Sequence, residues 1–198
     1  VPLHPMERPR LTELLARIPE DGPDALDAVF EEVYEEIRLL AARQRARWNG
    51  HHTLDTTALV NEAYLKLVGQ RRLDVRSRGH FFALASRAMR QLLCNYARDR
   101  AAAKRGGDRP DVPLHEVGEA APGLVAEQRA AGILLDLDEA LRRLGDEDPR
   151  AVRVVECRFF GGLTVEETAE SLGVSTRTVK RAWRFAQAWL RSELEDAG

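Results

Sequence analysis

The sequence predicts an all-α chain: two small helical domains joined by a flexible acidic linker, the C-terminal one a helix-turn-helix. Three observations carry this. Apolar residues recur at helical spacing through most of the chain, and no segment sustains the alternation of a strand. Between 106 and 123 that periodicity gives way to glycines, prolines and acids. Near the end, Ala169, Gly173 and Val179 stand at the offsets of two short helices crossing at a tight turn. The expected domains are 20–105 and 124–196, with 106–123 as the linker.

Taken in order, residues 1–10 are polar and proline-bearing, without the apolar stretch of a signal peptide. From Ala25 to Ala41, Leu26, Val29, Phe30, Val33, Ile37 and Leu40 mark a first amphipathic helix. A second is expected over about Thr56–Val68. There Leu59, Ala63 and Leu67 can face a core, while Asn61, Glu62, Leu65 and Lys66 lie outside. A leucine exposed among polar residues points to a protein contact. A third helix is expected over His80–Lys104, and further ones over Leu124–Leu144, Pro149–Phe160, Val165–Leu172 and Thr176–Leu194. No run approaches the roughly 18 apolar residues of a membrane span.

The net charge of −2 conceals segregation. Glu20–Glu36 carries eight acids and no base, and Arg71–Arg109 carries eleven bases against three acids. Asp111–Asp148 reverses this with ten acids against three bases, and Ser175–Arg191 carries five bases and no acid. Polyanion binding depends on the local patch, so a near-neutral total is no argument against nucleic acid. The two cysteines, Cys94 and Cys157, form no disulfide framework and suit a reducing cytoplasm, each as a small packing residue. His51-His52 lacks the spacing that brings further ligands to a metal, so neither metal nor cofactor is expected. No group of acids forms a metal or acid–base constellation beside the basic stretches, which argues against an enzyme.

The helix-turn-helix is the clearest local feature. Thr164-Val-Glu-Glu167 is a capping-box pattern, Gly173 can take the left-handed conformation that ends a helix, and Ser175 can cap the next. On that next helix Val179, Trp183, Ala186 and Leu190 share one side, and Arg177, Lys180, Arg181 and Arg184 gather opposite. The basic set, with Ser175 and Thr176 at the entering end, could reach phosphates and guanine edges in a major groove. A solvated basic face on an ordinary helix pair is the alternative; the turn signature favours DNA.

The helix from His80 also sorts its faces. Phe82, Ala85, Met89, Leu92, Leu93 and Tyr96 fall on one, and Arg87, Arg90, Gln91, Cys94, Arg98 and Arg105 on the other, with Asn95 on the flank. A helix buried on one side and cationic on the other can lie along a nucleic-acid backbone, while Gln91 and Asn95 hydrogen-bond unstacked bases. An acidic partner or a membrane surface is the competing use of such a face. The preceding Gln70–Gly79, with Arg76 and Arg78, reads as an exposed loop placed to hold a strand.

Together these segments resemble the bacterial sigma factors of the extracytoplasmic-function (ECF) group, over about Ala25 to Leu194. Thr57-Ala-Leu-Val-Asn-Glu-Ala-Tyr-Leu-Lys-Leu-Val68 is similar to the segment that docks on the polymerase clamp helices. His80-Phe-Phe-Ala-Leu-Ala-Ser-Arg-Ala-Met-Arg90, continued by Asn95-Tyr-Ala-Arg98 and Ala103-Lys-Arg-Gly106, resembles the promoter-melting helix. Arg153 to Glu170 resembles the start of the C-terminal domain, and Thr178-Val-Lys-Arg181 its recognition helix. The chain departs from the commonest pattern at Ala58, where an acid often precedes the leucine-valine pair. It departs again at His80-Phe-Phe, where a tryptophan-led sequence is common, and both suit an ECF-like subfamily.

The resemblance implies a cytoplasmic initiation factor whose partners are core RNA polymerase (clamp and flap regions) and promoter DNA, with an anti-sigma protein as one candidate controller. Leu59, Asn61, Glu62, Leu65 and Lys66 would contact polymerase. Arg76, Arg78, Arg87, Arg90, Gln91, Asn95, Arg98, Lys104 and Arg105 would bind and open the downstream (−10) element. Ser175, Thr176, Arg177, Lys180, Arg181 and Arg184 would bind the upstream (−35) element. Asp111, Glu116 and Glu119 of the linker would lie in the polymerase channels and mimic a nucleic-acid backbone. The alternative is a stand-alone helix-turn-helix regulator, in which the second basic helix and the acidic linker lack a purpose.

Overall fold

The computed structural model describes residues 8–21, 23–48, 55–69, 75, 77–106 and 121–196. Among them the chain forms eight α-helices and one π-helical turn, and no strand. The first helix, α1 (Arg8–Asp21), precedes the expected start of the N-terminal domain at residue 20. Its Leu11, Leu15 and Ile18 are buried against α2 (Pro23–Arg47). Pro9 falls in the first turn of α1, where a helix has no use for the missing N–H. Pro23 opens α2 in the same way, with Asp24 beside it favouring the positive end of the helix dipole.

α3 (Thr56–Val68) is capped by Asp55, whose carboxylate accepts the Ala58 N–H at 2.6 Å. α4 (Arg78–Gly106) starts two residues before the expected position, because the Ser77 hydroxyl accepts the His80 N–H at 3.2 Å. Arg78 and Gly79 are therefore helical rather than part of an exposed loop. An aromatic cluster ties the three helices together. Phe30 meets Tyr64 at 4.7 Å and Phe81 at 5.5 Å, and Phe81 meets Phe82 at 5.9 Å, all edge to face.

The second half begins with α5 (Ala121–Glu147), three residues inside the expected linker. The rest of that linker after Gly106, including Asp111, Glu116 and Glu119, lies outside the described residues. α6 (Pro149–Val155) is capped by Asp148, which accepts the Arg150 and Ala151 N–H groups at 2.9 and 3.0 Å. The helix expected to continue to Phe160 instead widens into a π turn over Glu156–Phe160. The Gly161 N–H reaches the Glu156 carbonyl at 2.9 Å, and a Cβ on Gly161 would stand 2.6 Å from the Cys157 carbonyl oxygen. Only glycine closes that turn. It leaves Glu156, Cys157 and Phe160 all pointing inward.

α7 (Val165–Leu172) and α8 (Thr176–Asp196) form the helix-turn-helix. The capping box is complete: the Thr164 hydroxyl accepts the Glu167 N–H at 3.1 Å, and the Glu167 carboxylate accepts the Thr164 N–H at 2.8 Å. Gly173 sits at φ 63° in the left-handed region, which a side chain would strain. Replacing Thr164 with alanine orphans that helix start and is expected to lower stability by about 1 kcal/mol. A denaturant titration followed by tryptophan fluorescence measures this; an unchanged midpoint would show the cap to be idle.

The two halves are packed together. α4 lies against α5, α7 and the π turn, and one apolar core runs from Leu11 to Ala186 through both. α4 is consequently covered on more than one side. Cys94 and Ala97, as well as Phe81, Phe82 and Met89, are buried.

Candidate nucleic-acid interface

α8 presents its cationic face to solvent. Ser175, Thr176, Arg177, Lys180, Arg181 and Arg184 are all exposed, while Val179, Ala182 and Ala186 are buried beneath them. The Ser175 hydroxyl accepts the Thr178 N–H at 3.2 Å, so it holds the helix start as expected. Among the described residues no ion pair engages Arg177, Lys180, Arg181 or Arg184. Trp183 is half-buried under the Arg158 guanidinium, 4.9 Å from the ring centre, which places it in the packing and not on the cationic face. Arg143 of α5 pairs with Glu193 at 2.5 Å, and Trp189 donates to Glu147 at 3.1 Å, anchoring the distal turns of α8.

α4 is different from the expected half-buried cationic helix. Arg90, placed on its outer face by the sequence, is 6% exposed. Its guanidinium pairs with Asp138 of α5 and with Glu156 at 3.2 Å, and stands over the Phe160 ring at 5.3 Å. These partners lie 48 and 66 residues away, so nothing local betrays them. In this folded form Arg90 cannot reach a nucleic acid. Arg87 and Arg98 remain exposed but share the same two carboxylates: Arg87 stands 3.6 Å from Glu156, and Arg98 donates to Asp138 at 2.7 Å. Asn95 is exposed and Gln91 half-buried.

Arg78 pairs with Glu36 of α2 and covers the Phe82 ring at 4.7 Å, so it is drawn into the N-terminal packing. Arg76 and the side chains of Lys104 and Arg105 lie outside the described residues. Lys66, Arg87, Arg90, Gln91, Asn95 and Arg98 line a cleft of about 480 Å³ together with Asp138, Arg142, Asp146 and Glu156 of the C-terminal half.

The residues expected to dock on polymerase differ in exposure. Leu59 has no exposed surface, so it can shape a docking face only from behind. Asn61 and Leu65 are exposed, Leu65 at 64%, a large apolar side chain with nothing on it. Glu62 is held by the Tyr96 hydroxyl at 2.7 Å, and Lys66 turns toward the basic cleft. Asn61 borders a groove with Asp27, Phe30, Glu31, Tyr34 and Tyr64. Within it the Tyr64 hydroxyl donates to Asp27, which pushes the phenol up to about 12. The acidic rim from α2 was not singled out as part of a site, although Glu20–Glu36 shows the charge.

Neither cysteine is poised for chemistry. Burial pushes both thiols up to about 12, so the reactive thiolate is suppressed and each acts as packing. No described helix is long and apolar enough to cross a membrane. Among known families, the model for the ECF sigma factor matches residues 8–196. No curated protein sequence matches the chain.

Proposed function

The chain belongs to the ECF sigma factor family, whose members are transcription initiation factors and not enzymes, and on that premise we propose a division of labour between its two halves. α8 reads the upstream (−35) element through Arg177, Lys180, Arg181 and Arg184, with Ser175 and Thr176 against the adjoining phosphates. α4 and the segment before it take the downstream (−10) element as the strands part, using Arg87, Arg90, Gln91, Asn95 and Arg98. The exposed face of α3 and its neighbours, with Asn61, Leu65 and Lys66, docks on core polymerase in the cytoplasm.

The observation that carries this reading is the cationic face of α8, exposed, unpaired among the described residues and fixed by a capped helix-turn-helix. Opening the duplex needs no covalent step. Cations hold the separated strand, and protein surface replaces the lost stacking.

Reconstitution tests the proposal. Added to core polymerase, the protein should bind it and start transcripts at discrete genomic positions that share upstream and downstream elements. Failure to bind core polymerase, together with silence on every genomic fragment, would refute it. Footprinting of a specific operator by the free chain would favour the stand-alone regulator.

A further inference from the structure

The face of α4 assigned above to the opened strand is occupied in the folded chain. Asp138 accepts from Arg90 with one oxygen and from Arg98 with the other, the latter at 2.7 Å. Glu156 accepts from Arg90 at 3.2 Å and lies 3.6 Å from Arg87. Two carboxylates from the C-terminal half thus engage three arginines spaced along one helix of the N-terminal half. Carboxylate and phosphate oxygens suit the same guanidinium fork, so these acids occupy sites that strand phosphates would use. Lys66, Gln91 and Asn95 line the same cleft beside these pairs.

A second contact of the same closure involves no charge. Gly79, in the first turn of α4, lies against α7. A Cβ there would stand 3.3 Å from both the Glu167 carbonyl oxygen and the Ser171 Cβ. The two helices approach at a distance that leaves little room for any side chain.

We propose that Asp138 and Glu156 are an intramolecular latch: they stand in for DNA phosphates on Arg87, Arg90 and Arg98 and hold the free chain closed. The latch must open before α4 can take a strand. A buried ion pair suits this task, because it adds little over apolar packing while closed but strongly disfavours the loss of one partner. Once the halves part, water solvates both charges, and the strand replaces the acids on α4. The inference rests on the reading of α4 as a strand-binding helix, and the test separates the two.

Two variants of the full chain open the same contact by unrelated means. Asp138→Asn with Glu156→Gln removes the charges at nearly constant shape, and Gly79→Leu wedges α4 from α7 with no change of charge. Circular dichroism establishes that each retains its helices, and X-ray scattering reports the separation of the halves. Fluorescence anisotropy with a labelled, mixed-sequence DNA single strand reports binding without polymerase.

Both variants should show a larger radius of gyration and bind the strand about tenfold more tightly than the parent. Adding Arg87→Ala and Arg98→Ala should abolish that gain. An unchanged radius in the charge variant overturns the latch and leaves the α4 reading intact. Expansion without tighter binding, or a gain that survives loss of Arg87 and Arg98, overturns the guarding role and the α4 reading with it. If the wedge variant loses its helices, the charge variant alone decides between these results.

Discussion

Replacing Arg177 and Arg181 together with alanine should reduce preference for the upstream promoter element by roughly 30-fold or more, while binding to core polymerase stays unchanged. The two side chains stand one turn apart on the exposed face of α8. A guanidinium that reads a guanine edge contributes about 1–3 kcal/mol of discrimination, so two of them account for at least about 2 kcal/mol. That lower figure corresponds to about 30-fold. The change is confined to recognition because alanine is the best helix former and the buried side of α8, Val179, Ala182 and Ala186, is untouched. Competition between a promoter and its upstream-scrambled copy, transcribed in one tube by reconstituted polymerase, measures the ratio. Loss of polymerase binding would instead place docking in the C-terminal half.

That prediction uses a feature fully legible in the sequence, because a helix-turn-helix is written locally. Thr164 and Glu167 are three residues apart, Gly173 needs only its own backbone freedom, and Ser175 caps the residues just after it. α3 was legible for the same reason: a four-residue spacing put Leu59, Ala63 and Leu67 inward and left Leu65 out. The cationic face of α4 was misread because a single helix's periodicity cannot show a second covering layer. Arg90 and Cys94 fall opposite the aromatic face, yet both are buried by the C-terminal half.

One signal could have warned of this. Glu156 interrupts the apolar run Val154-Val155-Glu156-Cys157, and a carboxylate placed there needs a cation from elsewhere in the chain. α1 was also within reach, since Leu11, Leu15 and Ile18 already stand at helical spacing. The π turn was not, because it depends on how closely the Gly161 backbone approaches the Cys157 carbonyl.

Truncating Phe81 to alanine should cost about 3–5 kcal/mol, a large share of the roughly 5–15 kcal/mol that holds a typical domain together. Phe81 has no exposed surface and is the ring through which α2 and α4 meet, edge to face with Phe30 on one side and Phe82 on the other. Its two ring neighbours are themselves held in place, Phe30 by Tyr64 and Phe82 under the Arg78 guanidinium. The loss therefore combines the transfer of a phenyl ring with a cavity that relaxes poorly. Chemical denaturation of the variant should show an earlier midpoint with loss of helicity. A shift below about 1 kcal/mol would mean that the three helices are joined mainly elsewhere. The consequence reaches function through geometry. α2 supplies Asp27, Glu31 and Tyr34 to the groove that Asn61 of α3 completes, and α4 carries Arg87, Arg90 and Arg98 of the cleft. Weakening their common joint should impair polymerase docking and promoter opening together, whereas the Arg177 and Arg181 substitutions separate recognition from both.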